Sequence, residues 1–173
     1  MTDNTLPEPW LRGTLSEVSP VLRAVLHALE LAQEDLHRHC GSLSDQELNE
    51  RPLGLPSVAF HLRHIARSMD RLLTYAEGQQ LDDRQAAARG AELEERSTRE
   101  ELLGELDAAF KSSARRVRRF EIAGLEASRA VGKGHRPSTV AGLLIHVADH
   151  TQRHVGQAVT TAQLIQRQHH PKS

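Results

Sequence analysis

Apolar residues recur at intervals of three and four along most of the chain, which is the period of an amphipathic α-helix. The pattern predicts a first helix from about Glu17 or Pro20 to Cys40, and a second helix from near Ser57 to near Gly78. The apolar stripe of the second helix consists of Val58, Leu62, Ile65, Met69, Leu72 and Ala76. Such unbroken spacing is typical of helices that pack side by side.

Two capping-box patterns, in which Ser precedes Glu by three positions, indicate further helix starts. Ser44 and Glu47 open the segment SDQELNERP, which we expect to form a short helix or turn. Ser97 and Glu100 predict the start of a third long helix, which ends near Phe120.

A fourth long helix is predicted after Ser138, where the helical period resumes. The segment before it, residues 124–138, is basic and rich in Gly, and we expect it to be a loop. Residues 78–96 show no convincing period, although residues 85–88 favour a local helix. The alternation typical of strands is absent, so we expect no sheet.

The predicted fold class is therefore all-α, a four-helix bundle in a single domain over residues 1–173, with its core at about 15–168. The link of about 19 residues between the second and third helices can span a helix of about 30 Å, because an extended residue reaches about 3.3 Å. Those two helices can then run parallel, which predicts up-down-down-up topology. In that topology the second and fourth helices are antiparallel.

Composition narrows the possible functions. The 173 residues include 22 basic and 23 acidic ones, with one Trp, one Tyr and three Phe, so we expect no nucleic-acid partner. No apolar run approaches the ~20 residues of a membrane span, and the start MTDNTLPEPW lacks signal-peptide features. We therefore expect a cytoplasmic protein with no membrane partner. The single cysteine, Cys40, excludes a disulfide scaffold, and we expect a structural role for it.

The chain has 11 histidines, and five of them fall in two predicted helices. His61 and His64 lie in FHLRHIARS on the second helix, and His146, His150 and His154 lie in LIHVADHTQRHVGQ on the fourth. At about 100° per residue, positions four apart lie one above the other. His150 and His154 can therefore bind one metal ion from adjacent turns.

The helical angles place these histidines on matching flanks. The three on the fourth helix lie about 40° to 120° to one side of its apolar stripe, and His64 lies about 120° from the middle of its own stripe, to the same side. If the second and fourth helices are antiparallel neighbours, the two flanks meet. His64 then reaches His150 and His154.

These motifs resemble those of the DinB/YfiT-like superfamily, in which a histidine before a hydrophobic residue and Ala is followed, on the fourth helix, by H-xxx-H-x-G-Q. The matching stretches are HIA at 64–66 and HTQRHVGQ at 150–157. The resemblance implies a four-helix bundle that binds one divalent metal ion, typically zinc or nickel, through His64, His150 and His154. It leaves the reaction open. The family includes metal-dependent transferases that use low-molecular-weight thiols such as bacillithiol or mycothiol, isomerases, hydrolase-like members and many with no assigned reaction.

Two other metal motifs do not fit. The H-E-x-x-H motif of zinc proteases is excluded because Thr151 follows His150. A di-iron bundle needs a Glu-x-x-His on each of two helices, and Glu34 with His37 supplies a single copy.

Three neutral imidazoles leave a metal ion with an open position and its full charge, so the ion can activate a bound water or hold a thiol as its thiolate. We therefore expect a metal-dependent S-transferase that uses a low-molecular-weight thiol and a small-molecule substrate. Two alternatives remain open: a metal-dependent hydrolase, and a non-catalytic metal-binding or stress-related module. His61, His146 and Gln157 are candidates to orient a ligand or substrate.

The first helix carries apolar residues on more than one side, which suggests a second contact surface. They are Val21, Leu22, Val25, Leu26, Leu29 and Leu31. On this basis we expect a homodimer.

Overall fold

The computed structural model describes residues 6–93 and 96–169, so the two ends of the predicted domain, 1–5 and 170–173, lie outside the described residues. The described part is mostly helical, with one small antiparallel sheet. The helices are α1 (Pro20–Cys40), α2 (Asp45–Asn49), α3 (Val58–Ala76), α4 (Asp83–Ala91), α5 (Arg99–Val117) and α6 (Val140–His169), and the strands are β1 (Ser128–Val131) and β2 (Arg136–Thr139).

The four long helices, α1, α3, α5 and α6, correspond to the four that the apolar period predicts. Helix α3 begins after Ser57, whose hydroxyl accepts the backbone N–H of Phe60. The predicted capping box of α5 is wrong by one residue, because Thr98 and Glu101 form it instead of Ser97 and Glu100. The Ser97 hydroxyl is engaged elsewhere, since it accepts a hydrogen bond from Arg63 on α3.

The predicted absence of a sheet is wrong. Strands β1 and β2 form an antiparallel hairpin in the segment that was expected to be a loop, and Ser128 lies opposite Thr139. The two strands, SRAV and RPST, do not alternate apolar and polar residues, so they carry no strand signal. The hairpin turn uses Gly132, whose φ of 69° suits glycine. Arg129 fastens β1 to the end of α3 by donating to the backbone carbonyl of Ala76 at 2.7 Å.

The link between α3 and α5 contains helix α4, which is longer than the local helix expected at 85–88. A capping box begins α4, in which Asp82 accepts the backbone N–H of Gln85 and the Gln85 side chain accepts that of Asp82. The pattern D-x-x-Q was present in the sequence as a helix-start signal.

The long helices enclose one large apolar core. Helix α3 packs against α5 and α6, and α1 packs against the same two helices. Six of the residues with no exposed surface come from all four helices: Leu36, Leu62, Ile65, Met69, Leu106 and Leu144. The core therefore fixes α3 and α6 as neighbours, which matters for the histidines on both.

Side-chain contacts show how neighbouring helices run. His61 contacts His154, whereas Ser68, two turns later on α3, contacts His150, so α3 and α6 run antiparallel. Between α3 and α5 the contacts run in the opposite sense, so that residues later in one helix contact residues later in the other.

On that side, Arg67 pairs with Glu105 at 2.8 Å, and Thr74, further along α3, accepts a hydrogen bond from Arg116, further along α5. Helices α3 and α5 therefore run parallel, as the long link between them allows.

The surface on which the homodimer prediction rested is largely buried within the chain. Four of the six apolar residues cited from α1 are at most 4% exposed: Leu22, Val25, Leu26 and Leu29. They pack inward because the helix contacts both α5 and α6. Among the described residues, no helix combines the length and apolarity that a membrane span needs.

Candidate metal centre

Three histidines predicted as metal ligands lie together between α3 and α6. His64, His150 and His154 each offer one ring nitrogen, and these three atoms all lie within 4.8 Å of one another. The Nε2 atoms of His64 and His150 are 3.4 Å apart. The ring centre of His154 lies 4.3 Å from that of His64 and 4.7 Å from that of His150. All three side chains are half-buried, so the cluster borders on solvent.

A carboxylate that the sequence analysis missed supports His64 from behind. The His64 Nδ1 lies 2.6 Å from Oε2 of Glu92, the residue that follows α4. The other carboxylate oxygen of Glu92 accepts a hydrogen bond from Arg71 at 2.5 Å, and its backbone carbonyl accepts one from Arg63 at 2.7 Å. The Glu92 side chain is 4% exposed. No helical period extends to this residue, so no pattern along the chain pointed to it.

Glu92 is ionised at neutral pH despite its burial. Burial alone would raise the pKa of the carboxyl group, but the hydrogen bonds from His64 and Arg71 outweigh burial and leave the pKa below its usual value. An ionised carboxylate accepts hydrogen bonds and donates none. The His64 Nδ1 must therefore carry a hydrogen, which leaves the Nε2 lone pair directed at the cluster.

The tautomer of His150 follows from its hydrogen-bond partner in the same way. Its Nδ1 lies 3.4 Å from the hydroxyl of Ser68, which itself donates to the backbone carbonyl of Ile65. That hydroxyl can accept the hydrogen of Nδ1. The Nε2 of His150 is then free to act as a ligand.

His61 is the hydrogen-bond partner of the His154 Nδ1. The two Nδ1 atoms are 3.2 Å apart, so one ring must donate to the other. If His154 donates, its Nε2 keeps a lone pair, and metal binding would select this arrangement. His61 is 3% exposed, and Phe60, which the sequence analysis did not single out, contacts the rings of both His61 and His64.

The pKa values of the cluster suit metal binding. Burial, followed by repulsion from neighbouring histidines, lowers the pKa of His150 to about 4. Burial, and then the charge of His64, lowers the pKa of His154 to about 4 as well. Both rings are therefore neutral at pH 7, the form that binds metal ions.

The donor set fits a divalent metal ion. Three imidazole nitrogens are the protein ligands of a known type of catalytic zinc site, in which a further position remains for a water or substrate. Imidazole also suits nickel. Support from a carboxylate on the other ring nitrogen, as Glu92 gives His64, is a frequent feature of metal-binding histidines.

The two other candidates lie nearer solvent. His146 approaches His150 edge-on, with ring centres 5.4 Å apart, and its Nδ1 lies 3.6 Å from an Asp149 carboxylate oxygen. Its side chain is 45% exposed. Gln157, three residues after His154 on α6, is exposed. Neither contributes to the three-nitrogen cluster, but His146 touches one of its rings.

The model of the DinB superfamily matches residues 28–158. The matched part contains the three clustered histidines and Glu92, together with most of α1 and α6. A search of curated proteins finds no match. Because the match covers well over half of the 173 residues, the chain belongs to the DinB superfamily.

Proposed function

We propose that this protein is a divalent-metal-dependent transferase that joins a low-molecular-weight thiol to a small electrophilic substrate. The observation that carries the proposal is the cluster of three histidine side chains, which contains no carboxylate or thiolate ligand among the described residues. We further propose one domain over residues 1–173, built as an up-down-down-up four-helix bundle. The antiparallel contacts of α3 with α6 and the parallel contacts of α3 with α5 support this topology.

His64, His150 and His154 would hold the metal ion, with zinc and nickel the preferred candidates. A divalent ion held by neutral ligands keeps its full double charge and would supply Lewis acidity that favours the deprotonated form of a thiol. The residues around the cluster hold the three rings in place, with Glu92 behind His64 and Ser68 behind His150.

The described residues offer no strong general base at the cluster. Both carboxylate oxygens of Glu92 are engaged, one with His64 and the other with Arg71. His61 is a weak base because burial, and then the charges of His154 and His64, lower its pKa to about 4. A nucleophile must therefore lose its proton without much help from the protein. A thiol, with a pKa of about 8.5, needs far less help than water, whose pKa is about 15.7.

In the transfer itself, the thiol sulfur forms a bond to the electrophilic carbon. The leaving group departs with the electron pair of the broken bond, and the proton of the thiol passes to solvent. His146, which contacts the ring of His150, and Gln157, three residues after His154, are both exposed on α6, and we propose that they contact the substrate.

The test is turnover by protein loaded with Zn²⁺ or Ni²⁺, offered bacillithiol, mycothiol or glutathione together with an aryl halide electrophile. We expect the thioether product, detected by mass spectrometry, and its loss in His150→Ala. The matched control is His37→Ala, which removes an exposed histidine of α1 that pairs with Asp107. Metal-dependent hydrolysis in the absence of any thiol would show that the protein is a hydrolase and would contradict the transferase proposal. Full metal occupancy without turnover across a broad panel of substrates would favour a non-catalytic module.

A further inference from the structure

Helix α4 carries little of the packing that usually holds a helix in place. None of residues 83–90 is buried, so α4 adds no fully buried side chain over that range. Its start is held by polar contacts, in which the Gln85 amide donates to Asp70 at 2.7 Å and to Thr74 at 2.9 Å. Its end is held by Glu92, whose side chain is 4% exposed. Among the residues whose burial the structure describes, the buried attachment of α4 is thus the same carboxylate that contacts the candidate metal centre.

Glu92 is fixed from three directions. His64 occupies one carboxylate oxygen, Arg71 occupies the other, and Arg63 holds the backbone carbonyl. Because each carboxylate oxygen has its own donor, the group cannot rotate without breaking a charge-assisted hydrogen bond. The carboxylate therefore holds the His64 ring in one tautomer and one orientation.

We infer that Glu92 is the positioning residue of the three-histidine centre, and that it couples metal binding at His64 to the docking of α4. The inference rests on the proposed metal site and adds the residue that prepares it. A carboxylate at Nδ1 makes the imidazole a better donor through Nε2. A cation at Nε2 makes the Nδ1 hydrogen a better donor to Glu92. Since linkage is reciprocal, a contact that strengthens metal binding must also be strengthened by it.

The first measurement is Zn²⁺ affinity by competition with a chromogenic chelator. Glu92→Gln should bind Zn²⁺ about 10- to 100-fold more weakly than the wild type, because His64 loses its ionised partner. The control is Glu105→Gln, which removes an acid that pairs with Arg67 of α3 and contacts no histidine of the cluster. Its Zn²⁺ affinity should equal that of the wild type.

A second readout separates positioning from a general loss of structure. Long-range nitrogen NMR of the metal-free protein should show His64 with its hydrogen on Nδ1 in the wild type, and a mixture of tautomers in Glu92→Gln. If Glu92→Gln does not fold because Arg71 is left unpaired, Glu92→Gln with Arg71→Gln removes both charges and should show the same loss of affinity.

The coupling to α4 is measured by limited trypsin cleavage after the exposed residues Arg84 and Arg89. Zn²⁺ should slow this cleavage in the wild type and in Glu105→Gln, but not in Glu92→Gln. Equal Zn²⁺ affinity in wild type and Glu92→Gln, or equal protection of α4 by Zn²⁺ in both, would overturn the inference while the metal site stands. A wild type that binds no Zn²⁺ would overturn the inference and the proposed function together.

Discussion

Metal-free protein should lose stability as the pH falls below about 6.5, and His61 should cause a measurable part of the loss. His61 is 3% exposed, and burial, followed by repulsion from His154 and His64, lowers its pKa from 6.5 to about 4. In the unfolded chain its pKa returns to about 6.5. Between these two values the unfolded state binds a proton that the folded state does not. The contribution of His61 to stability is thus fully present above pH 6.5 and is lost as the pH falls towards 4.

The size of this effect follows from the two pKa values. The difference between 6.5 and about 4, at about 1.36 kcal/mol per pH unit, limits the loss to about 3 kcal/mol at very low pH. Between pH 7 and pH 5 the same two values predict a loss of about 2 kcal/mol. The free energy of unfolding of a folded domain is typically about 5–15 kcal/mol, so a loss of this size is measurable.

The assay compares wild type with His61→Gln, in which the side chain at 61 can still hydrogen-bond to His154 but cannot titrate in this range. Urea unfolding at pH 7 and pH 5, with a chelator present, gives the free energy of unfolding of each protein at each pH. Using the change with pH within each protein cancels any effect of the substitution itself. The wild type should lose about 2 kcal/mol more than His61→Gln. Equal losses would show that His61 titrates normally in the folded protein, and would refute the reasoning.

Three further predictions concern the core and the helix caps. Cys40 is fully buried, and burial raises its pKa to about 12, so native protein at pH 8 should not react with Ellman's reagent until guanidinium unfolds it; rapid reaction of native protein would contradict this burial. Thr98→Ala removes the cap that accepts the Glu101 N–H and should lower the free energy of unfolding by about 1 kcal/mol in urea titrations, whereas no change would show that the cap is dispensable. Leu62→Ala leaves a cavity at a site with no exposed surface, and the same titration should show a loss of about 2–5 kcal/mol; a loss below 1 kcal/mol, roughly, would mean that the core closes around the gap.

The long helices could be predicted because each carries an apolar stripe with helical spacing. In α3 the predicted stripe residues Val58, Leu62 and Ile65 have no exposed surface, and Ser57 caps the helix. The meeting of His64 with His150 and His154 followed from helical angles and from the antiparallel packing of α3 and α6. The helical angles follow directly from the local pattern, and the antiparallel packing follows from the length of the link between α3 and α5.

The missed features have no such local pattern. Strands of four residues depend on pairing with each other and on the contact of Arg129 with the end of α3, neither of which is visible along the chain. Glu92 is one of several glutamates in the sequence RGAELEER at 89–96, where no helical period distinguishes it, and only the folded link brings it to His64 and Arg71. The homodimer stays a prediction, although some of the α1 residues on which it rested, such as Leu26, are buried where the helix packs against α5 and α6.

The most direct test is the metal content per chain, measured by elemental analysis after loading with Zn²⁺ and removal of loosely bound ions. Wild type should hold one ion per chain, and His64→Ala, His150→Ala and His154→Ala should each lose most of it, because three nitrogen ligands are needed to hold the ion in place. His146→Ala should keep it, since His146 lies outside the three-nitrogen cluster. Full metal in His64→Ala together with loss in His146→Ala, or a wild type that holds no metal under any loading condition, would contradict the three-histidine centre.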